Sequence, residues 1–515
     1  MLNKSNNYIL IIDFGSQVTQ LIARRIREIG VYCEVINHDK FLMKNIKVKP
    51  KGLIFSGGPE SVYNEKSYNI NSDIFNYNIP ILGICFGQQL ICHLFGGKVE
   101  QSTKREYGSA KINIIKKSQL FNNVEHLDVW MSHGDKITEI TSNFKVLATT
   151  NNSPYAAIGD EENKIYGLQF HPEVYHTKDG TKIIKNFIIN IANCDCDWTM
   201  KKFIDEELIV IKDKIGQDNI ICGLSGGVDS SVVGALINKA VGRQLTCIFV
   251  DHGLLRKKEA EEVKKVFAKN IDANFIYVDA KNYFLKNLEN VSDPEQKRKI
   301  IGKTFIEIFD QEAAKIKNVK YLAQGTLYPD VIESSHPNSG SSQTIKSHHN
   351  VGGLPKNMKL KLVEPLRNLF KDEVRKLGFE LGLPDKIVNR HPFPGPGLAI
   401  RILGNITQEK INILQEADHI FISEIRKENL YDKIWQAFCV LLPVKTVGVM
   451  GDKRTYEYVL SLRAVTSVDG MTADIYHFNS NFLAKVSNKI INEVPGINRV
   501  VYDYTSKPPG TIEWE

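Results

Sequence analysis

Leu224-Ser225-Gly226-Gly227-Val228-Asp229-Ser230-Ser231 decides how this chain is read. It follows an apolar run, Ile220-Ile221-Cys222-Gly223-Leu224, and opens an amphipathic one, Ser231-Val232-Val233-Gly234-Ala235-Leu236-Ile237. That order predicts a buried strand, a glycine turn and a helix, with the turn at the helix N-terminus. Unpaired backbone N–H groups and the positive end of the helix dipole meet there, which makes the turn an anion site. Gly226 and Gly227 let the backbone approach a phosphate, and Ser225, Ser230 and Ser231 add hydroxyl donors. No lysine follows the glycines, so this is not the GxxxxGK[ST] loop that holds a transferring γ-phosphate. An ordinary glycine turn accounts for a bare Gly-Gly pair; the ordered set Ser-Gly-Gly-x-Asp-Ser is much rarer.

The totals set outer bounds. A chain of 515 residues is too long for one core and predicts about three domains. With 42% hydrophobic and 24% charged residues, it reads as globular. No run approaches the roughly 20 apolar residues of a membrane span, and Met1-Leu2-Asn3-Lys4-Ser5-Asn6-Asn7 lacks the shape of a signal peptide. Among eight cysteines only Cys194 and Cys196 lie close together. With no second pair and no histidine cluster nearby, a metal site there is not expected. Reduced cysteines and a cytoplasmic location are. The net charge of +7 is mild and dispersed, without the dense basic arm and interleaved aromatics of a nucleic-acid binder. Anionic small substrates account for it equally well.

From the N-terminus, buried strands alternate with helices. Tyr8-Ile9-Leu10-Ile11-Ile12-Asp13 runs into Phe14-Gly15-Ser16, Gly52-Leu53-Ile54-Phe55 into Ser56-Gly57-Gly58-Pro59, and Ile79-Pro80-Ile81-Leu82-Gly83-Ile84 into Cys85. The pattern predicts a parallel α/β sheet with ligands at the strand C-terminal ends. Gly83-Ile84-Cys85-Phe86-Gly87-Gln88-Gln89 sets Cys85 between glycines at a strand-to-helix corner, the logic of a nucleophile elbow. The following helix N-terminus favours the thiolate. Cys92, beside Ile91 and Leu94, reads as a buried hydrophobe. Ile165-Tyr166-Gly167-Leu168-Gln169-Phe170-His171-Pro172-Glu173 reads as a strand, on which residues two apart share a face, so that Glu173 orients His171. Cysteine, histidine and carboxylate then form an acyl-transfer triad.

These segments, with Ser132-His133-Gly134-Asp135, resemble the class I glutamine amidotransferases. The resemblance implies Cys85 as nucleophile, His171 as base and Glu173 as its partner. It further implies an oxyanion hole of backbone N–H groups near Gly58 and Phe86, with Gln89, Ser132 and His133 helping to hold glutamine. The loop at 225–231 resembles the pyrophosphatase loop of ligases that split ATP between the α and β phosphates. That assigns Ser225, Gly226, Gly227, Val228, Asp229, Ser230 and Ser231 to ATP.

Beyond a join at 193–198, a helical run Met200–Ile215 precedes that loop. Strands are expected at Leu245–Gly253, Phe275–Asp279 and Tyr321–Thr326, giving a second doubly wound sheet. Lys297-Arg298-Lys299 opens a helix, and two of the three cations are expected to be solvated. Segment 334–355, polar and glycine-containing, reads as a lid in which Gly352 and Gly353 allow hinge motion and Lys346 reaches towards phosphates. Its ordering over bound substrates is expected to raise glutamine hydrolysis. His348 and His349, adjacent on that loop, read as part of the lid rather than as a metal site. Residues 391–403 start a third unit behind a proline-rich linker, and the tail Lys507-Pro508-Pro509-Gly510-Thr511-Ile512-Glu513-Trp514-Glu515 is expected to dock.

Taken in order, these segments resemble the glutamine-hydrolysing GMP synthetases along the whole chain. The resemblance implies an α/β architecture of two doubly wound parallel-sheet domains, 1–200 and 201–390, and a smaller α+β dimerisation domain, 391–515. Its substrates are glutamine, ATP and xanthosine monophosphate (XMP), with Mg2+ on the polyphosphate and Asp229 as a candidate ligand. Arg298, Lys507 and Glu513 are carried over as XMP contacts, with Arg401 a further candidate. A homodimer is implied; no nucleic acid or membrane is. A thiolating or NAD-forming ligase with the same loop is the alternative enzyme. Cys222, inside a buried strand, fits a sulfur relay poorly. A silent binding protein on these folds is expected to lack Cys85, His171 or the loop serines.

Overall fold

Six residues, Tyr8–Asp13, run without a polar side chain until the last, and all six are buried. A strand of that kind needs cover on both faces, the situation of a central strand in an α/β sheet. The computed structural model describes residues 6–63, 70–334, 360–450, 452–467, 470 and 472–515. The chain divides into two units, Met1–Glu206 and Glu207–Glu515.

The first unit contains β1 (Tyr8–Asp13), β2 (Tyr32–Asn37), β3 (Gly52–Phe55), β4 (Ile81–Ile84), β5 (Lys98–Lys111), β6 (Asn113–Ile114), β7 (Asp128–Glu139), β8 (Lys145–Thr149), β9 (Ala157–Asp160) and β10 (Ile165–Leu168). Eight of them form one sheet in the order β2-β1-β3-β4-β10-β9-β8-β6, while β5 and β7 pair as a separate ribbon. The stretch from β2 to β10 is parallel, as the alternating pattern predicts. The stretch from β10 to β6 is antiparallel. Residues 161–164 between β9 and β10 are too few for a helical crossover, so the chain must turn straight back.

In the second unit β11 (Asn219–Leu224), β12 (Leu245–Asp251), β13 (Asn274–Asp279), β14 (Val319–Ala323) and β15 (Lys361–Val363) form an all-parallel sheet, ordered β13-β12-β11-β14-β15. Strand order reverses between β11 and β14, which opens a crevice at their C-terminal ends. The Ser225–Ser231 stretch begins there. Its helix, Val228–Val241, starts three residues earlier than the amphipathic pattern alone indicates, with Gly227 as N-cap. Further on, β16 (Gln436–Met450) and β17 (Lys453–Thr466) form a long hairpin joined by β18 (Asp474–Ile475) and β19 (Ile497–Tyr502). Helices Gln408–Lys427 and Ser480–Glu493 pack on it. One apolar core runs from Ile221 and Ile248 through Leu398 and Phe421 to Leu460 and Ile497.

Among the described residues no helix is long and apolar enough to cross a membrane. The segment read as a lid, from residue 335 onward and including Lys346, His348, His349, Gly352 and Gly353, lies outside the described residues up to 359.

The cation triplet departs from expectation. Only Lys299 is exposed; Arg298 is half-buried and Lys297 fully buried. Lys297 sits on the inner face of helix Pro294–Ala314, where its Nζ donates to Ala399 O at 3.2 Å, Ile402 O at 2.8 Å and Glu515 Oε2 at 2.5 Å. Burial holds this amine below its ordinary range, opposed by Glu515. Removing one partner of a buried pair strands the other. Glu515→Gln is therefore expected to cost about 3–5 kcal/mol in urea unfolding of the full chain. Adding Lys297→Met should recover most of that loss. Equal losses in the single and double variants would show that the pair is not coupled.

Candidate active sites

Cys85 stands between β4 and helix Phe86–Leu94 with φ 53° and ψ −106°. That conformation is rare for a residue with a side chain and is held only by surrounding structure. Here the holding is steric. A Cβ on Gly83 would lie 2.5 Å from the Gly87 backbone, and one on Gly87 would lie 2.3 Å from Phe55 O. The turn thus packs backbone to backbone against β3, and Cys85 N donates to Leu168 O at 2.7 Å. Cys85 itself is buried.

His171 and Glu173 meet, though not on a strand. β10 ends at Leu168, and the pair lies in the bend and turn that follow. The turn brings His171 Nδ1 to 2.8 Å from Glu173 Oε1, with both side chains buried. His171 N donates to Trp130 O, its carbonyl accepts from Thr177 Oγ1, and the Glu173 carbonyl accepts from Arg25 Nε. Burial works against charge on the ring. The Glu173 carboxylate and the hydrogen bond with Cys85 outweigh it and hold His171 up at about 11. Both interactions favour the protonated ring.

The remaining expected groups of the first unit cluster nearby. The Phe14 and Phe86 rings lie 5.3 Å apart, and a Cβ on Gly58 would reach 2.8 Å from Phe14 O. Ser132 offers its carbonyl to Cys85 Sγ at 3.7 Å. Gln89 Nε2 donates to Asp135 O at 3.0 Å and to Gln169 Oε1 at 3.1 Å. Both ring nitrogens of His133 face protein, Nδ1 at Asp135 O and Nε2 near Glu106. Gln169 was not among the residues singled out from the sequence. It sits two positions before His171, and its Nε2 lies 3.7 Å from Cys85 Sγ.

In the second unit the glycine turn is held open from behind. Gly226 takes φ +75°, and its carbonyl accepts from Arg390 Nη1 at 2.7 Å. Arg390 in turn pairs with Glu259, whose other oxygen accepts from Arg256 N. Ser225 and Ser230 share a hydroxyl contact of 3.1 Å, and Ser231, buried, donates to Gly227 O at 2.8 Å. Val228 is the first, buried residue of the helix. Both Asp229 oxygens lie 2.6 Å from Lys371 Nζ. Lys371, Arg390 and Glu259 come from distant segments with no local signal, and the sequence reading missed them.

The residues carried over for XMP divide. Arg401, fully buried, holds Glu513 through two bonds of 3.1 and 2.8 Å, and Glu513 also accepts from Gln436. Arg298 Nη2 donates to the Glu515 main chain. Lys507 instead donates to Gly470 O at 2.8 Å.

The His171 geometry has a direct readout. In ring NMR spectra of the full chain, His171 is expected to titrate near 11 instead of near the ordinary value of about 6.5. A folded-state value raised this way means that the charge pair stabilises fully below about 6.5 and is lost as pH rises towards 11. In Glu173→Gln, burial loses its main opponent and the titration should fall well below that of the unsubstituted chain. A ring that titrates normally in both proteins would contradict the ion pair.

Residues 10–191 match the family described as glutamine amidotransferase class-I, 198–303 the NAD synthase family and 423–514 the GMP synthase C terminal domain. Across its length the chain is similar to proteins named GMP synthase (glutamine-hydrolyzing). It is 58% identical over 511 residues to that of Bartonella henselae, covering 98% of each chain. It is 58% identical over 514 residues to that of Phenylobacterium zucineum, covering 99% of each. With the relative from Bradyrhizobium diazoefficiens it shares 58% over 515 residues, 99% of this chain and 94% of the other. Similarity of this extent, together with the α/β architecture, means that the chain belongs to the glutamine-hydrolysing GMP synthase family.

Proposed function

We propose that the chain joins glutamine hydrolysis to the amination of XMP, with the residues described above in defined roles. It is a ligase that uses ATP to make GMP with glutamine as the nitrogen donor. The observation that carries the reading is one chain holding both a cysteine elbow beside a His171–Glu173 pair and a lysine-free glycine turn at a sheet's switch point. We assign glutamine hydrolysis to 1–200, ATP activation to 201–390 and dimerisation with XMP binding to 391–515.

Cys85 sulfur attacks the carboxamide carbon of glutamine. Backbone N–H groups of Gly58 and Phe86 receive the developing oxyanion. The imidazolium proton of His171 passes to the departing nitrogen, ammonia leaves, and a glutamyl thioester remains. Water then attacks the thioester, His171 takes a proton from it, and glutamate departs. Gln89, Ser132 and His133 border the glutamine site. Glu173 keeps the ring oriented throughout and favours its charged form before attack and after deacylation.

At the second site the XMP C2 oxygen attacks the α-phosphorus of ATP and pyrophosphate leaves. Ammonia adds at C2 and AMP departs, a better leaving group than an oxo group. The Ser225–Ser231 turn cradles the phosphates through backbone N–H groups and the Ser225 and Ser230 hydroxyls. Arg298, Arg401, Lys507 and Glu513 form our XMP assignment.

We assign Asp229 as the one carboxylate a magnesium ion would take when substrate phosphates supply its other ligands; both its oxygens lie 2.6 Å from Lys371 Nζ, a contact the ion would replace. Such an ion would neutralise polyphosphate charge. The face bearing Val447, Val449 and Tyr456, all exposed on the β16–β17 hairpin, supports a homodimer. Eight free cysteines support a reducing, cytoplasmic setting.

The division of labour is tested by Cys85→Ala. Glutamine-dependent GMP synthesis should be abolished, while synthesis from an added ammonium salt stays nearly intact, because only the thioester step needs the thiol. Equal loss with both nitrogen sources in a folded variant would refute the assignment.

A further inference from the structure

Cys85 Sγ has two polar neighbours besides His171, each at 3.7 Å: the Ser132 carbonyl oxygen and Gln169 Nε2. They favour opposite protonation states. A carbonyl only accepts, so it suits the thiol S–H and repels a thiolate. An amide N–H only donates, so it suits the thiolate.

The orientation of the Gln169 amide is fixed by a chain of bonds. Asp135 O can only accept, which turns the Gln89 amide so that its NH2 group faces that carbonyl at 3.0 Å. The same NH2 group lies 3.1 Å from Gln169, which must therefore present its oxygen. The NH2 group of Gln169 is left facing sulfur. Gln169 is wholly enclosed and Gln89 nearly so, so neither amide is turned by solvent. A charge-assisted bond in an enclosed site is stronger than its neutral counterpart.

From this geometry we infer that Gln169 is a further catalytic residue of glutamine hydrolysis, donating to the Cys85 thiolate, and that Gln89 is a positioning residue that acts through it. The inference rests on Cys85 being the nucleophile. When the sulfur proton passes to His171 Nε2, the bond to Ser132 O is lost and the one from Gln169 strengthens. The pair of amides thus biases the resting site towards the ion pair before substrate arrives. It also explains why Gln89, buried with its NH2 group committed to protein, belongs beside the elbow.

The test uses Gln169→Met, similar in length but without a donor, and Gln169→Glu, which turns oxygen towards sulfur. Alkylation of Cys85 by iodoacetamide is followed against pH in the full chain, alongside kcat and KM for glutamine. For Gln169→Met, kcat and the neutral-pH alkylation rate should each fall about ten- to a hundredfold. The half-maximal pH of alkylation should move upward, and KM should stay within about twofold, as expected of a residue that acts on the sulfur rather than on the substrate. Gln169→Glu should be more severe. Gln89→Met, which leaves Gln169 in place but frees its amide to turn, should shift the profile in the same direction by less. It keeps the idea testable if position 169 proves intolerant. An unchanged alkylation profile with a raised KM would overturn the inference and make Gln169 a wall of the glutamine pocket. If alkylating Cys85 in the unsubstituted chain left glutamine-dependent synthesis intact, the nucleophile assignment itself would fall, and this inference with it.

Discussion

The tightest constraint in the first unit is the absence of room for a Cβ at Gly83 and Gly87. Each would bring a side-chain carbon to 2.5 Å or less from backbone atoms, well inside van der Waals contact. Because the turn packs so closely on β3, the residue between the glycines cannot relax, and Cys85 is held at positive φ. Its sulfur then meets His171, Gln169 and the Ser132 carbonyl. Strain of this kind persists where the surroundings over-determine it, and it places a reactive atom without a flexible side chain doing the placing. The second unit uses the same strand-turn-helix plan to the opposite end. At Gly226 the turn presents backbone, and the arginine behind it holds the carbonyl so that the loop keeps its shape.

The second unit is also organised by buried cations. Lys297, Arg401 and Arg463 are all fully enclosed, and each pairs with a carboxylate near the C-terminal end of the chain. Lys297 takes Glu515 and Arg401 takes Glu513. Arg463 pairs with Asp503 and donates to the carbonyls of Thr505 and Thr511. Enclosed charge without a partner is costly enough that such a tail cannot be a dispensable extension. The residues assigned to XMP are therefore in structural use already.

Legibility followed the range of the interaction. Strand-turn-helix units were readable because apolar runs and glycines sit next to one another in sequence, as at 220–231 and 81–89. The His171–Glu173 pair was readable from a two-residue spacing, although a turn rather than a strand brings the side chains together. The antiparallel half of the first sheet was missed because its strands are only two to five residues long and β9 and β10 are buried at every position, so no alternation marks them. Lys297 read as surface because a lysine in a charged run is usually solvated. Its partner lies 218 residues away, where no local pattern reaches. Lys371, Arg390 and the role of Gln169 share that obstacle: each is defined by what the fold brings to it.

On our assignment this one chain takes nitrogen from the amide of glutamine and spends ATP by α–β cleavage to place it on XMP. The direct measurement supplies amide-labelled glutamine, XMP and ATP, and follows products by mass spectrometry. The expected result is GMP carrying the label, with AMP, pyrophosphate and glutamate formed in equal amounts. Unlabelled GMP, or ADP and phosphate in place of AMP and pyrophosphate, would contradict it.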